Sequence, residues 1–457
     1  MKRLALVCLL AVSLAAGLEM TTSVAAQNRS IGVNVALNTP ITTDILGDLG
    51  RFGRVMDTVE QLEVVRLRTR EADLAAIRAL PYVAAASPDA ERTGRPIDTV
   101  SAEDFTDGLN TWDQDAVDVT NLGAGRTEPF DGSGVYVAVL DTGLLDSWRQ
   151  YFPEERIATE FARAFSGGGM ERGRVSETPN VWEHDQNSHG THVTSTILGY
   201  SLGGVSINGT APMATVIPVK VLNQAGFGWS SVIARGIVYI ADLKEAGSLG
   251  SSPVVINMSL SGPVLDVVEQ RAVDYAIERG VVIVAAAGNE GEDGMGFPGA
   301  YAPVISAAAS GWTGEWPAGN GSWWFNTDVP DPTSADDFYI TDFLSREKTG
   351  QDLDVAAPGS WVVGPYQLQS GKTSYFFLGG TSMASPHVAG IAALMLQKNP
   401  GLSQAAIEGA LEASAIPLPP GCRTVRQPSG PAQEFCWGAD ATGAGLATAG
   451  AALAQIQ

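Results

Sequence analysis

Gly380-Thr381-Ser382-Met383-Ala384-Ser385-Pro386-His387-Val388-Ala389-Gly390, GTSMASPHVAG, is the stretch from which the fold is read. Ser382 follows a glycine and a threonine and opens an apolar, small-residue run that reaches Leu396. Val388, Ile391, Leu394 and Met395 recur at helical spacing, while Ala389, Gly390, Ala392 and Ala393 suit close packing on all sides. The pattern predicts a buried helix with Ser382 at its N-terminus, where unpaired N–H groups and the dipole favour developing negative charge. Pro386 fits such a helix if it lies in the first turn or just past it. A hydroxyl held there can attack a carbonyl if a base takes its proton. An N-cap is nevertheless the commoner use of a serine at a helix start.

A buried helix needs an apolar partner, and the chain upstream supplies one. Val135–Leu140, Thr215–Leu222, Val254–Met258, Val281–Ala287 and Val304–Ala309 are near-continuous apolar runs, as expected of strands buried on both faces. Between them, Ser230–Glu245 and Leu265–Arg279 carry helical periodicity. The fold class is therefore α/β, a mostly parallel sheet with helices on both faces, in one large domain over residues 111–457. In such sheets the active groups gather at the carboxyl ends of the strands.

Three further residues stand at such ends. Asp141 closes the first run, in Asp141-Thr142-Gly143, and a carboxylate there must be hydrogen-bonded or paired. Capping a turn is its bland role. Aspartic proteases also use Asp-Thr-Gly but need two carboxylates sharing a proton; no second copy exists here. Ser188-His189-Gly190-Thr191-His192 enters a helical stretch to Leu198. The four histidines are His184, His189, His192 and His387, and their spacing is not that of a zinc protease. His189, at a helix start, suits proton transfer; His192 and His387, among small or apolar residues, are expected to serve packing. Ala285–Gly291 reads AAAGNEG, with Asn289 on a turn. Turn asparagines are usually structural, but near Ser382 the amide could stabilise an oxyanion.

The chain begins with positive Met1-Lys2-Arg3, an apolar Leu4–Leu18, and small residues at Ala25 and Ala26. This reads as a secretory signal peptide over residues 1–26, too short to span a bilayer. The expected location is therefore outside the cytoplasm, secreted or periplasmic. Beyond it only Cys422 and Cys436 remain, and a local disulfide is the expectation for an exported chain. Net charge is −22 over 457 residues, spread along the chain. That excludes nucleic acid and anionic membranes as natural partners. Residues 27–88 alternate strand and helix patterns: Ile31–Leu37, Thr43–Leu49, Gln61–Arg68, Glu71–Leu80 and Tyr82–Ala86. They predict a small α+β sandwich. Residues 89–110, polar and acidic, read as an exposed linker.

VAVLDTG, NSHGTHV, INMSLSG, AAAGNEG and GTSMASPHVAG, in this order, resemble the subtilisin-like serine proteases. The likeness covers roughly residues 112–414, with Trp437-Gly438 and Gly443–Leu446 near the end. It implies a subtilisin-like fold and a serine endopeptidase in which Asp141, His189 and Ser382 form the triad and Asn289 completes the oxyanion site. It also implies a substrate groove in which Gly226, Phe227, Gly228, Ser259, Leu260 and Ser261 flank an extended peptide. Ala286, Ala287 and Gly288 would line the primary specificity pocket, with Glu290 at its rim, favouring medium or large apolar side chains and admitting Lys or Arg. Residues 27–88 would then be a ferredoxin-like propeptide, an inhibitor and folding template cut away within 89–110, acting on a monomeric enzyme. Protein or peptide substrates and the chain's own propeptide are the implied partners. No cofactor is implied for the chemistry. Structural calcium is left open, its ligands unknown, because the loop at Val205–Gly209 that often binds it lacks a clear set of oxygen side chains.

Other departures are Thr194 and Ser195, where the family usually has Ala-Gly, and an insertion at 311–342 bearing Trp312, Trp316, Trp323 and Trp324. The insertion is expected to be a surface loop, with a substrate-rim role as the sharper reading. Two alternatives to the peptidase are a catalytically weak relative that only binds peptides, and an esterase or transferase using the same triad.

Overall fold

In the computed structural model, which describes residues 29–102, 111–121, 125–169, 173–202, 205–316, 329–367 and 374–457, the apolar runs become strands. The expected signal peptide, Trp323 and Trp324, and residues 103–110 lie outside the described residues. Two compact units result, the first ending at Asp89 but also including Gly167–Val175 and Asp266–Val268.

The first unit runs β1 (Ser30–Leu37), α1 (Thr43–Leu49), β2 (Gly53–Val59), β3 (Val64–Arg70), α2 (Leu74–Arg78) and β4 (Val83–Pro88). Its antiparallel sheet has the order β2-β3-β1-β4, the ferredoxin-like arrangement. Thr42 caps α1, its side chain accepting from the N–H of Ile45. Val33, Val35, Leu49, Val65, Leu67 and Ile77 form the core. Asn34 and Arg66, on the alternate positions, are also buried. There Arg66 reaches Asp89 at 2.6 Å and Asn34 at 3.0 Å, and Asn34 reaches Asp266 at 2.9 Å, a closed polar network.

Strand β2 was not expected. A bulge between Val55 and Asp57 breaks its alternation, and Gly53, Arg54 and Asp57 mask the rest. The expected strand from Gln61 starts only at Val64, because Glu60–Leu62 form a 3-10 turn and Glu63 takes φ 51°. The expected helix from Glu71 to Leu80 shortens to α2, behind another 3-10 turn. Residues 89–110 are not an exposed linker in their described part: Glu91–Thr93 (β5) and Asp98–Ala102 (β6) pair with the second unit's strands, and Arg92 is fully buried.

In the second unit, Trp112–Ala116 (α3) precedes β7 (Tyr136–Asp141), α4 (His189–Leu198), β8 (Thr215–Lys220), β9 (Phe227–Trp229) and α5 (Ser230–Glu245). There follow β10 (Val254–Met258), α6 (Val267–Glu278), β11 (Val281–Ala286), β12 (Ile305–Trp312), β13 (Phe338–Ile340) and β14 (Val355–Pro358). The sheet's centre runs β8-β7-β10-β11-β12, all parallel, with β14 parallel and β13 antiparallel to β12. Its middle strands are buried along their length, as their sequences require. Strands β15 (Val362–Pro365) and β16 (Tyr375–Gly379) form a side hairpin, extended by β6. The described part of the insertion is not a loose loop: it prolongs β12 and adds β13, and Trp312 stacks on Trp112 with centroids 6.4 Å apart.

Helix α7 (Thr381–Lys398) packs beside α4 and across β10, β11 and β12, buried from Thr381 to Leu396. Pro386 sits deeper than the first turn, and its missing N–H leaves the carbonyl of Ser382 without a helical partner. Ser259 fills that role, its hydroxyl donating to the Ser382 carbonyl at 2.8 Å. Helix α8 (Gln404–Ser414) follows, with Ser403 as N-cap. A hairpin of β17 (Gly421–Val425) and β18 (Gln433–Trp437) then sets Cys422 opposite Cys436, and the two are disulfide-bonded.

Candidate active site

Asp141 is the last residue of β7, and its register partner on β8 is Lys220. Its carboxylate takes the Thr142 N–H at 2.6 Å and faces the Nδ1 of His189 at 2.8 and 3.0 Å. All three side chains are buried. A carboxylate here fixes the imidazole, placing its proton on Nδ1 and leaving Nε2 to accept another. That Nε2 is buried and has no hydrogen-bond partner among the described residues.

Helix α4 begins at His189, and the approach to it is built tightly. Ser188 adopts φ 75°, unusual for a non-glycine residue, held by Asp185, which accepts from the N–H groups of Asn187 and Ser188 at 2.8 Å each. Asp185 also accepts from the Thr142 hydroxyl at 2.8 Å, and Thr142 in turn accepts from the Gly190 N–H at 2.9 Å. A side chain at Gly190 would lie 2.3 Å from the Gly143 carbonyl, so only glycine lets the histidine turn approach the aspartate turn. Burial pushes Asp185 up to about 6, against the pull of Lys220, whose ammonium donates to the Thr142 carbonyl. Sequence reading missed Asp185, Thr142 and Lys220; a carboxylate three residues before Ser188 was the available signal.

Ser382 lies at the start of α7, and its hydroxyl donates to the Ser259 carbonyl at 3.2 Å rather than to the imidazole. Asn289, on the turn after β11, is oriented by Thr381, whose N–H and hydroxyl donate to its Oδ1 at 2.9 and 3.0 Å. With the oxygen engaged on Thr381, the remaining side-chain atom, Nδ2, is the donor on offer. Glu290 is held by Ser345, 3.0 Å from its Oε2, and Ser345 also accepts from the Glu290 N–H. Ala286 and Ala287 are buried, and the Gly288 N–H donates to the Thr381 hydroxyl at 3.2 Å.

The expected groove residues meet a strand of the chain itself. β5 pairs antiparallel with β9, setting Phe227 opposite Thr93 and Gly228 opposite Arg92. On its other side Thr93 exchanges two 2.9 Å hydrogen bonds with Ser261, and the Gly94 N–H donates to the Gly226 carbonyl at 2.9 Å. A Cβ on Gly94 would lie 2.8 Å from the Ser259 carbonyl and 3.4 Å from the imidazole Cε1 of His189. The backbone at Gly94 therefore lies beside the imidazole. Leu260, between the two serines, is buried.

His192 and His387 are held within the fold by hydrogen bonds. His192 bonds the Val362 carbonyl at 3.1 Å, and burial drives it down to about 3; His387 joins the Met383 carbonyl and Asp113. Thr194 and Ser195 satisfy their hydroxyls on the preceding helical turn, at Gly190 and His192, so they disturb no neighbour. The Val205–Gly209 stretch contributes a strand paired to Gly199–Leu202. The carboxylates that could hold a cation lie elsewhere: Asp352, Asp354 and Glu408 bring ligand atoms within 4.8 Å of one another. Asp354 is fully buried, and its Oδ1 lacks a partner among the described residues, as a hard-cation site would leave it.

A family model described as "Subtilase family" matches residues 132–438. Thermitase of Thermoactinomyces vulgaris is 33% identical over 285 residues, spanning 62% of this chain and 82% of its own length. Subtilisin Savinase of Lederbergia lenta is 34% identical over 296 residues, 65% of this chain and 88% of its own. Among solved structures, fervidolysin of Fervidobacterium pennivorans, described as a keratinolytic enzyme related to subtilisin, superposes with a TM-score of 0.64 at 22% identity. That match covers 93% of this chain and 61% of fervidolysin. Sphericase gives 0.53 at 27% identity, over 76% of this chain and 99% of its own.

Proposed function

The chain belongs to the subtilase family of serine endopeptidases, and from that premise we propose that it is a secreted enzyme using Asp141, His189 and Ser382 as its triad. The observation that carries this reading is the buried Asp141–His189 pair, with an unpartnered Nε2, beside a groove that already receives an extended strand.

Rotation of the Ser382 side chain away from the Ser259 carbonyl presents its hydroxyl to the peptide carbonyl and to His189. His189 takes the proton, an acyl-enzyme forms, and the same proton passes to the leaving amine. Asp141 holds the tautomer and stabilises the imidazolium. The Asn289 Nδ2 and the Ser382 N–H stabilise the oxyanion, and Thr381 keeps that amide preorganised. Water then reverses the sequence to release the acid. Asp352, Asp354 and Glu408 would hold a structural cation such as calcium, which supplies no step of the chemistry.

In the same reading residues 27–88 are a propeptide and 89–110 the stretch where it is cut. The test is incubation of purified protein with casein, with and without a serine-directed phosphonate, and N-terminal sequencing of the mature chain. Casein cleavage abolished by the phosphonate, with a new N-terminus between 89 and 110, is expected. Phosphonate-insensitive or absent cleavage would reject the reading.

A further inference from the structure

We propose that Glu269 is a specificity-determining residue of the groove, selecting peptides with arginine two positions before the residue that lies over the His189 imidazole. This rests on the peptidase reading above and extends it to a substrate class.

Almost every contact that β5 makes with the groove is backbone to backbone: with β9 on one side, Ser261 on the other, and Gly226 next along. Such pairing accepts nearly any sequence. Arg92 is the exception. Its neighbours Glu91 and Thr93 point to solvent, while Arg92 and Gly94, two residues apart and so on one face, are buried. The Arg92 side chain is fully buried, and so is Glu269. The guanidinium forks onto that carboxylate, with Nε at 3.0 and 3.2 Å from its two oxygens and Nη2 closer still. Nη2 also donates to the Val264 carbonyl at 3.0 Å. The wall beside it is Gly262, where a Cβ would stand 2.8 Å from Nη1 and 3.3 Å from Cδ of Arg92. Carboxylate, carbonyl and missing side chain together shape a pocket for a planar, five-donor cation.

A buried ion pair adds little over a well-packed apolar pair, but removing one partner leaves an unpaired buried charge. The consequence is selectivity. Leucine in this pocket would strand Glu269, and lysine would supply a single charge without the fork. Arg95, in contrast, is exposed and, among the described residues, donates to the Ala225 carbonyl, so solvent screens its contribution.

The test uses the matured enzyme and peptides differing only at this position, carrying arginine, lysine, glutamine or leucine, followed by a common Thr-Gly segment. Wild type is expected to favour arginine over leucine by roughly 10²-fold in kcat/KM, the scale of losing one partner of a desolvated charge pair. Glu269→Gln should collapse that ratio, and Glu269→Leu should invert it. Because the precursor's own Arg92 pairs with Glu269, the single variants are expected to mature poorly. The Arg92→Leu/Glu269→Leu double variant rematches the pair and supplies enzyme for the inverted preference. Equal rates for arginine and leucine in wild type, or an arginine preference that survives Glu269→Gln, would overturn the proposal while leaving the peptidase reading intact. Failure to cut any peptide would overturn both.

Discussion

At the scale of the residue, the proposed chemistry rests on four side chains, Asp141, His189, Asn289 and Ser382. Asp141 ends β7, His189 and Ser382 lie at the starts of α4 and α7, and Asn289 lies on the turn after β11. Ser382→Ala should reduce peptide cleavage to the residue left by binding and the oxyanion site. Asn289→Ala should lower kcat by roughly 10²–10³, a magnitude taken from a subtilisin. Steady-state kinetics on one peptide checks both, and near-normal turnover by Ser382→Ala would end the triad assignment. Glu269 and Arg92 were illegible because they lie 177 residues apart and neither is unusual in its own neighbourhood. The same holds for Asp354, which burial pushes up to about 7 against hydrogen bonds from Ser306. An acid whose folded-state pKa is raised favours the folded state only while protonated. Its contribution is full below about pH 4 and is lost as pH rises to about 7. In a Ser382→Ala background without calcium, the unfolding midpoint should therefore fall across that window, and Asp354→Asn should flatten the fall. Calcium should restore the midpoint above pH 7 in the parent and not in Asp354→Asn. Parallel curves for the two chains would show that Asp354 does not set the slope.

At the scale of the element, apolar runs buried on both faces predicted their strands to within three residues at either end, and Ser230–Glu245 came out as drawn. Patterning failed where tertiary context decides. Strand β2 hides behind a bulge, and β5 is a strand only because β9 and Ser261 lie on either side of it. Buried polar elements were likewise invisible. In the first unit Arg66 is enclosed with Asp89, Asn34 and the Gly173 carbonyl. Arg66→Met should cost about 3–5 kcal/mol, because Asp89 would stay buried without its cation. Urea unfolding of the full chain in a Ser382→Ala background, which keeps Gly173 and Asp266 on the network, measures it, and a loss under about 1 kcal/mol would mean that water reaches the site. The Cys422–Cys436 hairpin was foreseen as a disulfide but not as paired strands. It also packs on the insertion, Phe435 lying 4.7 Å from Tyr339 between ring centroids. Replacing both cysteines by serine should remove up to roughly 3 kcal/mol in the loop-entropy model. Thermal unfolding of the phosphonate-blocked enzyme reads this loss directly.

At the scale of the whole molecule, the parallel sheet sets the folding problem. Strand β7 lies between β8 and β10, whose partners in register are Thr215 and Val254 for its own Tyr136. Pairings so distant in sequence require loop closure before any contact stabilises the chain, which makes folding slow. The first unit is different: β1, β3 and β4 pair within a short stretch around their own core. It is built to fold early. Residues 91–94 then lend the second unit an added strand, pairing with Phe227–Trp229 and Ser261 and setting Arg92 onto Glu269. Without them those strand edges and that carboxylate have no partner from this segment during folding. Expressing residues 111–457 alone should therefore give inactive protein lacking a cooperative unfolding transition. Adding residues 27–110 in trans should rescue it, and an excess should then inhibit it until the fragment is digested. The Arg92→Leu fragment should rescue and inhibit less well, because it offers the groove its backbone but leaves Glu269 unpaired. Full activity from residues 111–457, untouched by either fragment, would make the N-terminal unit a separate binding module with no part in folding the enzyme.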